Sequence, residues 1–192
     1  MFNRFFGEDE GVGESTQPVS EPSSEPDADE DTASIRRAIS ELGSLPVERR
    51  RFLAGYAYVL VRVARADAEV NDAEIERMER SIIAAGGLPE ALGALLVVLA
   101  SRLHSLYGAS EDYTVTREFA RSSTPQERQR LLRACVAVGV ADGVLTGGET
   151  AELNEVGQEL GFGVDEIQAI RKQVDPRSGE PLRPHGQTTQ PS

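Results

Sequence analysis

Apolar residues recur at helical spacing from Thr32 to Val174, and no stretch alternates as a strand would. Ile35, Ala38, Ile39 and Leu42 mark one face of a short first helix that Gly43 ends. Pro46 suits the first turn of a second helix. Its stripe runs Phe52, Tyr56, Val59, Leu60 and Val63. A third helix carries Ile75, Met78 and Ile82 inward and stops at Gly86. Leu88-Pro89 opens a long fourth helix through Leu92, Leu95, Leu96, Leu99, Leu103 and Leu106, with an expected end near Gly108. A shorter helix is expected around Thr116–Ala120. Pro125 then starts one bearing Leu131, Leu132, Cys135 and Val138. The last two carry Leu153, Val156 and Leu160, stopped by Gly161, and Ile167, Ile170 and Val174 before Pro176. The pattern predicts an all-α fold: a compact bundle of seven or eight helices.

Part of this pattern occurs twice. Val63-Ala-Arg-Ala-Asp67-Ala-Glu69-Val70-Asn-Asp-Ala-Glu74 returns as Val138-Gly-Val-Ala-Asp142-Gly-Val144-Leu145-Thr-Gly-Gly-Glu149, offset by 75 residues (142 − 67 and 149 − 74). In each copy an apolar helix runs into an Asp, then a turn, then a Glu seven residues on. Self-similarity at a fixed offset marks a duplicated unit. The bundle should therefore contain two helix–loop–helix pseudo-repeats, and the two loops should meet on one face about a pseudo-two-fold axis.

The ends read differently. Residues 1–34 form an acidic tail and residues 176–192 a polar, proline-rich one, flanking a helical domain over 35–175. Pro, Ser, Gly, Glu and Asp dominate 7–31, and such composition buries too little apolar surface to offset the entropy of ordering. Ahead of this stretch, Phe2, Phe5 and Phe6 give three of the chain's six phenylalanines in its first six residues. The plain reading is a frayed terminus. The functional reading is an aromatic anchor for a protein partner or a membrane surface.

Charge sharpens the division. The formal net charge is −12; ten acids and one base among residues 1–34 contribute −9, leaving −3 for the rest. A nearly neutral helical region argues against nucleic-acid binding. A single cysteine, Cys135, excludes an intramolecular disulfide and a thiolate zinc site of the usual kind. There is no apolar leader, and the richest stretch, Leu92 to Leu103, is interrupted by Ser101 and Arg102, so no membrane span is expected. The expected location is the cytoplasm, peripheral to a membrane where the Phe anchor engages lipid. His104 reads as a packing or surface residue and Cys135 as inert core. No nucleophile elbow, phosphate loop, dinucleotide fingerprint or HExxH occurs, and no enzyme activity is expected.

The loop acids carry what chemistry there is. Thr146-Gly-Gly-Glu149 fits a capping box and Asn71-Asp-Ala-Glu74 a looser one, which alone accounts for both glutamates. The aspartates stand near helix C-termini, where the dipole disfavours anions by roughly 0.3–1 kcal/mol. Their compensating partner is either the N–H groups of the next helix or a bound cation. A cation would meet oxygen ligands only, from Asp67, Glu69, Glu74, Asp142 and Glu149, which favours Ca²⁺ or Mg²⁺ over Zn²⁺. The loop is not an EF-hand: counting from Asp67, Asp72 stands where that motif needs Gly, and Met78 where it needs Glu.

The Ala-Asp-x-Glu-Val-x-x-x-Glu loop, its second copy and the flanking helices resemble the tellurite-resistance TerB family, and also the N-terminal region of a membrane-anchored DnaJ-like co-chaperone. The likeness covers about 35–175. It implies a helical domain with two pseudo-repeats and an acidic patch for divalent cations. By position that patch takes Asp67, Glu69 and Glu74 from the first copy and Asp142 and Glu149 from the second. Val144 stands where the first copy has Glu69, so the expected site is weak, with Kd on the order of 10⁻⁴–10⁻³ M, the weak end of calcium sites. The resemblance implies a non-enzymatic, cation-linked interaction module for stress response or scaffolding. The alternative is a purely structural helical adaptor whose loop acids only cap helices.

Overall fold

Leu53 and the unbroken run from Tyr56 to Ala64 are buried, in a helix that, past its charged first turns (Glu48, Arg49, Arg50 and Arg51), is apolar on every side except at Arg62. A helix of that kind belongs inside the molecule rather than on it. In the computed structural model, which describes residues 28–66, 70–143 and 145–175, it is the axis of the fold. Seven α-helices and no strand occur among the described residues: α1 (Ala28–Ser44), α2 (Val47–Ala64), α3 (Asp72–Gly86), α4 (Glu90–Ser122), α5 (Pro125–Gly139), α6 (Gly147–Glu159) and α7 (Val164–Val174). The all-α bundle expected from periodicity is the fold observed. Phe2, Phe5, Phe6, Asp67, Glu69, Val144 and the C-terminal tail lie outside the described residues.

α2 packs on α3, α4, α5 and α6. Its core partners include Met78 and Ile82 from α3, Leu92 from α4, Leu131 and Leu132 from α5, and Leu153 from α6, all fully buried. The repeat is visible in the helix limits. α2 ends at Ala64 and α5 at Gly139; α3 starts at Asp72 and α6 at Gly147; each pair is 75 apart (139 − 64 and 147 − 72). The halves interlock, because α2 also touches α5 and α6, and α3 touches α5.

Four expectations change. First, the chain does not leave the helix at Gly108; α4 runs unbroken through 33 residues. Gly108 is buried, and a Cβ there would stand 3.1 Å from the His104 ring. That ring lies across the glycine and reaches Asp112 (Nε2 to Oδ1, 3.4 Å), which also accepts a 2.9 Å bond from the Tyr58 hydroxyl. The glycine is a seat for a side chain rather than a stop. Second, Glu90–Gly108 is long and apolar enough to cross a membrane by length and composition, with mean hydropathy 1.4. The average tolerates Ser101 and Arg102; in the fold Leu92, Leu96, Val97 and Ala100 of this stretch are buried. Third, the left-handed residue ending α3 is Gly87 (φ 60°), not Gly86, while Gly161 (φ 94°) follows α6 as expected. Gly86 is small for packing, since a Cβ would fall 2.9 Å from Leu53. In addition, α1 starts at Ala28, before the apolar stripe; Ala-Asp-Glu-Asp favours a helix start, which periodicity does not register.

α4 must also bend. Leu53 of α2 lies against Gly86, just before α4, and Gly55, two residues on, lies 3.1 Å from Phe119 when given a Cβ. A straight helix from Glu90 to Phe119 would be about 44 Å long at 1.5 Å per residue, too long for both contacts. α4 therefore bends along α2, and His104 and Asp112 hold its middle to Tyr58.

Candidate acidic loop site

Each pseudo-repeat turns from one helix into the next through a capping box. Asn71 Oδ1 accepts from Glu74 N (3.0 Å), and Glu74 Oε2 accepts from Asn71 N (2.9 Å). Thr146 Oγ1 accepts from Glu149 N (3.1 Å), and Glu149 Oε2 accepts from Thr146 N (2.8 Å). The box at Asn71 is complete, not loose. The glutamates thus satisfy orphan N–H groups at the starts of α3 and α6.

Capping does not account for where these carboxyls sit. Glu74 is 3% exposed and Glu149 5%, and they face each other. A third capping box supplies the comparison. Glu127 caps α5 through Thr124, and the Thr124 backbone N–H, its largest influence, holds the Glu127 carboxyl below its ordinary value. Glu74 has the same kind of cap and shifts the other way. Burial is the largest cause pushing its carboxyl up. The Asn71 N–H pulls it down, and the charges of Glu149 and Asp142 push it up again. What distinguishes Glu74 is its burial first and its carboxylate company second, not the cap.

Asp142 lies past the end of α5, exposed, two residues beyond the C-cap Val140. Its Oδ2 accepts from Asn71 Nδ2 at 3.4 Å, which links the two loops directly. Asn71 so serves both copies, capping α3 with its oxygen and holding the second loop's aspartate with its nitrogen. The structure brings together Glu74, Glu149 and Asp142 of the five expected acids. Asp67 and Glu69 lie outside the described residues. Among the described residues no group of three or more His, Cys, Asp or Glu side chains has the geometry to hold a metal. In kind, the donors fit a hard divalent cation: carboxylates without nitrogen or sulfur, with one carboxyl oxygen on each glutamate outside the capping bonds.

Sequence reasoning missed Arg62. It is 4% exposed, and its guanidinium donates to Glu152, to Glu159 (2.6 Å) and to Thr116 Oγ1 (2.9 Å). Opposite charge outweighs desolvation and pushes the Arg62 guanidinium up. This network pins α6 and α4 to α2 behind the second loop. The signal was available: one arginine inside Val59-Leu60-Val61-Arg62-Val63, and Glu152, Glu155 and Glu159 along one face of a helix.

A family model described as tellurite resistance protein TerB matches residues 53–172. Comparison with curated proteins and with solved structures finds no match.

Proposed function

Since this chain belongs to the TerB family, we propose that it is a non-enzymatic module of stress response or scaffolding whose paired loops take a divalent cation weakly. The observation that carries this reading is the burial of Glu74 against Glu149, with the charge of Asp142 beside them: three acids from both copies. Glu74, Glu149 and Asp142 would hold the ion, and Asp67 and Glu69 would complete the set. A Ca²⁺ or Mg²⁺ ion there would supply the missing positive charge and fix the two loops relative to each other. Coupling an ion to loop geometry makes the loop face a conditional surface for a protein partner.

A second reading has its own support. Both glutamates are members of complete capping boxes, so a structural adaptor without any ion also accounts for them. Calorimetric titration and thermal melting of the full chain with Ca²⁺ and with Mg²⁺ separate the two. With Kd on the order of 10⁻⁴–10⁻³ M, about 1 mM ion stabilises by roughly 0.4–1.4 kcal/mol. Asp142→Asn and Asp67→Asn should each abolish that gain and leave the ion-free protein folded. No heat of binding and no thermal shift in the wild type would leave the adaptor reading standing.

A further inference from the structure

The middle of α4 exposes an apolar stripe. Val98, Leu99, Leu103, Leu106 and Tyr107 are between 43% and 65% exposed. Leu99, Leu103 and Leu106 advance by four and three residues, so they form one stripe. α1 packs on α4 and adds Ile35 (54% exposed) and Ile39 (56%). A run of exposed aliphatic residues on two contacting helices marks a binding face rather than scattered surface apolars.

The chain itself contains a fitting occupant. Phe2, Phe5 and Phe6 stand at i, i+3 and i+4, a sequence spacing that would share one face if the segment formed a helical turn on a surface. One turn is not stable alone in water and needs a surface to fold on. The intervening 7–27 joins the chain at Ala28, the first residue of the helix that packs on α4. Twenty-one residues of this composition span about 25 Å root-mean-square. The whole of α1, 17 residues long, is about the same length at 1.5 Å per residue. The segment can therefore reach along the length of α1, the helix that packs on α4. Charge agrees: Glu8, Asp9 and Glu10 follow the aromatic turn, and exposed Arg36, Arg37 and Arg102 stand on the two helices.

We propose that the N-terminal segment Met1–Phe6 docks on the α4 stripe of its own chain, with Phe2, Phe5 and Phe6 against Leu99, Leu103 and Leu106. A tether this short gives an effective concentration in the millimolar range, so the intramolecular contact outcompetes a second copy at ordinary protein concentrations.

A nitroxide at Asn3→Cys in the full chain tests this. Cys135 is fully buried and its thiol is pushed up to about 12, so it does not compete for the label. The label should remove most of the methyl NMR intensity of Leu99, Leu103 and Leu106, unchanged on tenfold dilution, and should spare the methyls of Leu131 and Leu132. Replacing all three phenylalanines by serine should restore the signals, as should Leu103→Ser with Leu106→Ser for the methyls that remain. Broadening seen only when labelled chain is mixed with methyl-labelled, nitroxide-free chain would assign the face to a second copy. Broadening seen only with anionic phosphatidylglycerol vesicles would assign it to a membrane. No selective broadening in any arm would leave the segment undocked. Each of these three results overturns the proposal.

Discussion

Glu74 is a capping residue held in the wrong electrical company, and that conflict has a measurable sign. Its folded-state carboxyl is raised above the ordinary 4.5, so the folded protein keeps this proton more tightly than the unfolded chain does. Stability from this group is therefore fully present below pH 4.5 and declines as pH rises through the raised value. Glu74→Gln retains an oxygen for the Asn71 N–H and removes the charge. It should stabilise the ion-free protein at pH 7 by on the order of 1 kcal/mol, the scale of ordinary single substitutions. The gain should shrink toward zero as pH falls to 4.5, which urea unfolding across pH would read. The same variant should lose the stabilisation by Ca²⁺. A gain independent of pH would show that the change acts on packing instead.

Arg62 is the residue that joins elements. Deleting one member of a buried ion network leaves the others without a counter-charge, at a cost of about 3–5 kcal/mol. Arg62→Ala should fall near the lower limit, because Glu152 and Glu159 keep some access to water (25% and 13% exposed). Equilibrium unfolding in denaturant measures the loss, and amide exchange should show α6 opening before α3. A loss below about 1 kcal/mol, the range of surface pairs, would mean the network adds little.

Within α4, Gly108 should behave as a seat for His104. Alanine there gains about 1 kcal/mol of helix propensity, but its methyl crowds the ring at 3.1 Å. Gly108→Ala should therefore stabilise clearly in a His104→Ala background and little or not at all in the wild type. Additive effects in this double-mutant cycle would show that the ring does not depend on the glycine.

At the scale of the molecule, the interlocked halves should open together. Cys135 is fully buried between them, and its thiol is pushed up to about 12, chiefly by that burial. It should react with a thiol reagent only through global unfolding, at a rate following the unfolding equilibrium in dilute denaturant. Fast labelling without denaturant would reveal an opening smaller than the whole bundle. The proposed docking stripe on α4 is exposed, so removing residues 1–6 should not change that rate.

Periodicity in the sequence determined the all-helical class, because each helix must turn one apolar face inward whatever its neighbours. The 75-residue offset determined the two pseudo-repeats and the capping turns at Asn71 and Thr146, since a cap is settled within four residues of chain. Three features were decided only in three dimensions. Gly108 reads as a stop until His104 and Asp112, four residues to either side, are seen to close over it with Tyr58 from another helix. Arg62 reads as a break in an apolar run until Glu152 and Glu159, 90 and 97 residues away, surround it. That Glu74 and Glu149 meet follows from the repeat, but their burial face to face beside Asp142 is decided only when the halves interlock. Local chemistry is written in neighbouring residues. The energy of a buried charge depends on groups that only the packing of distant helices brings within reach.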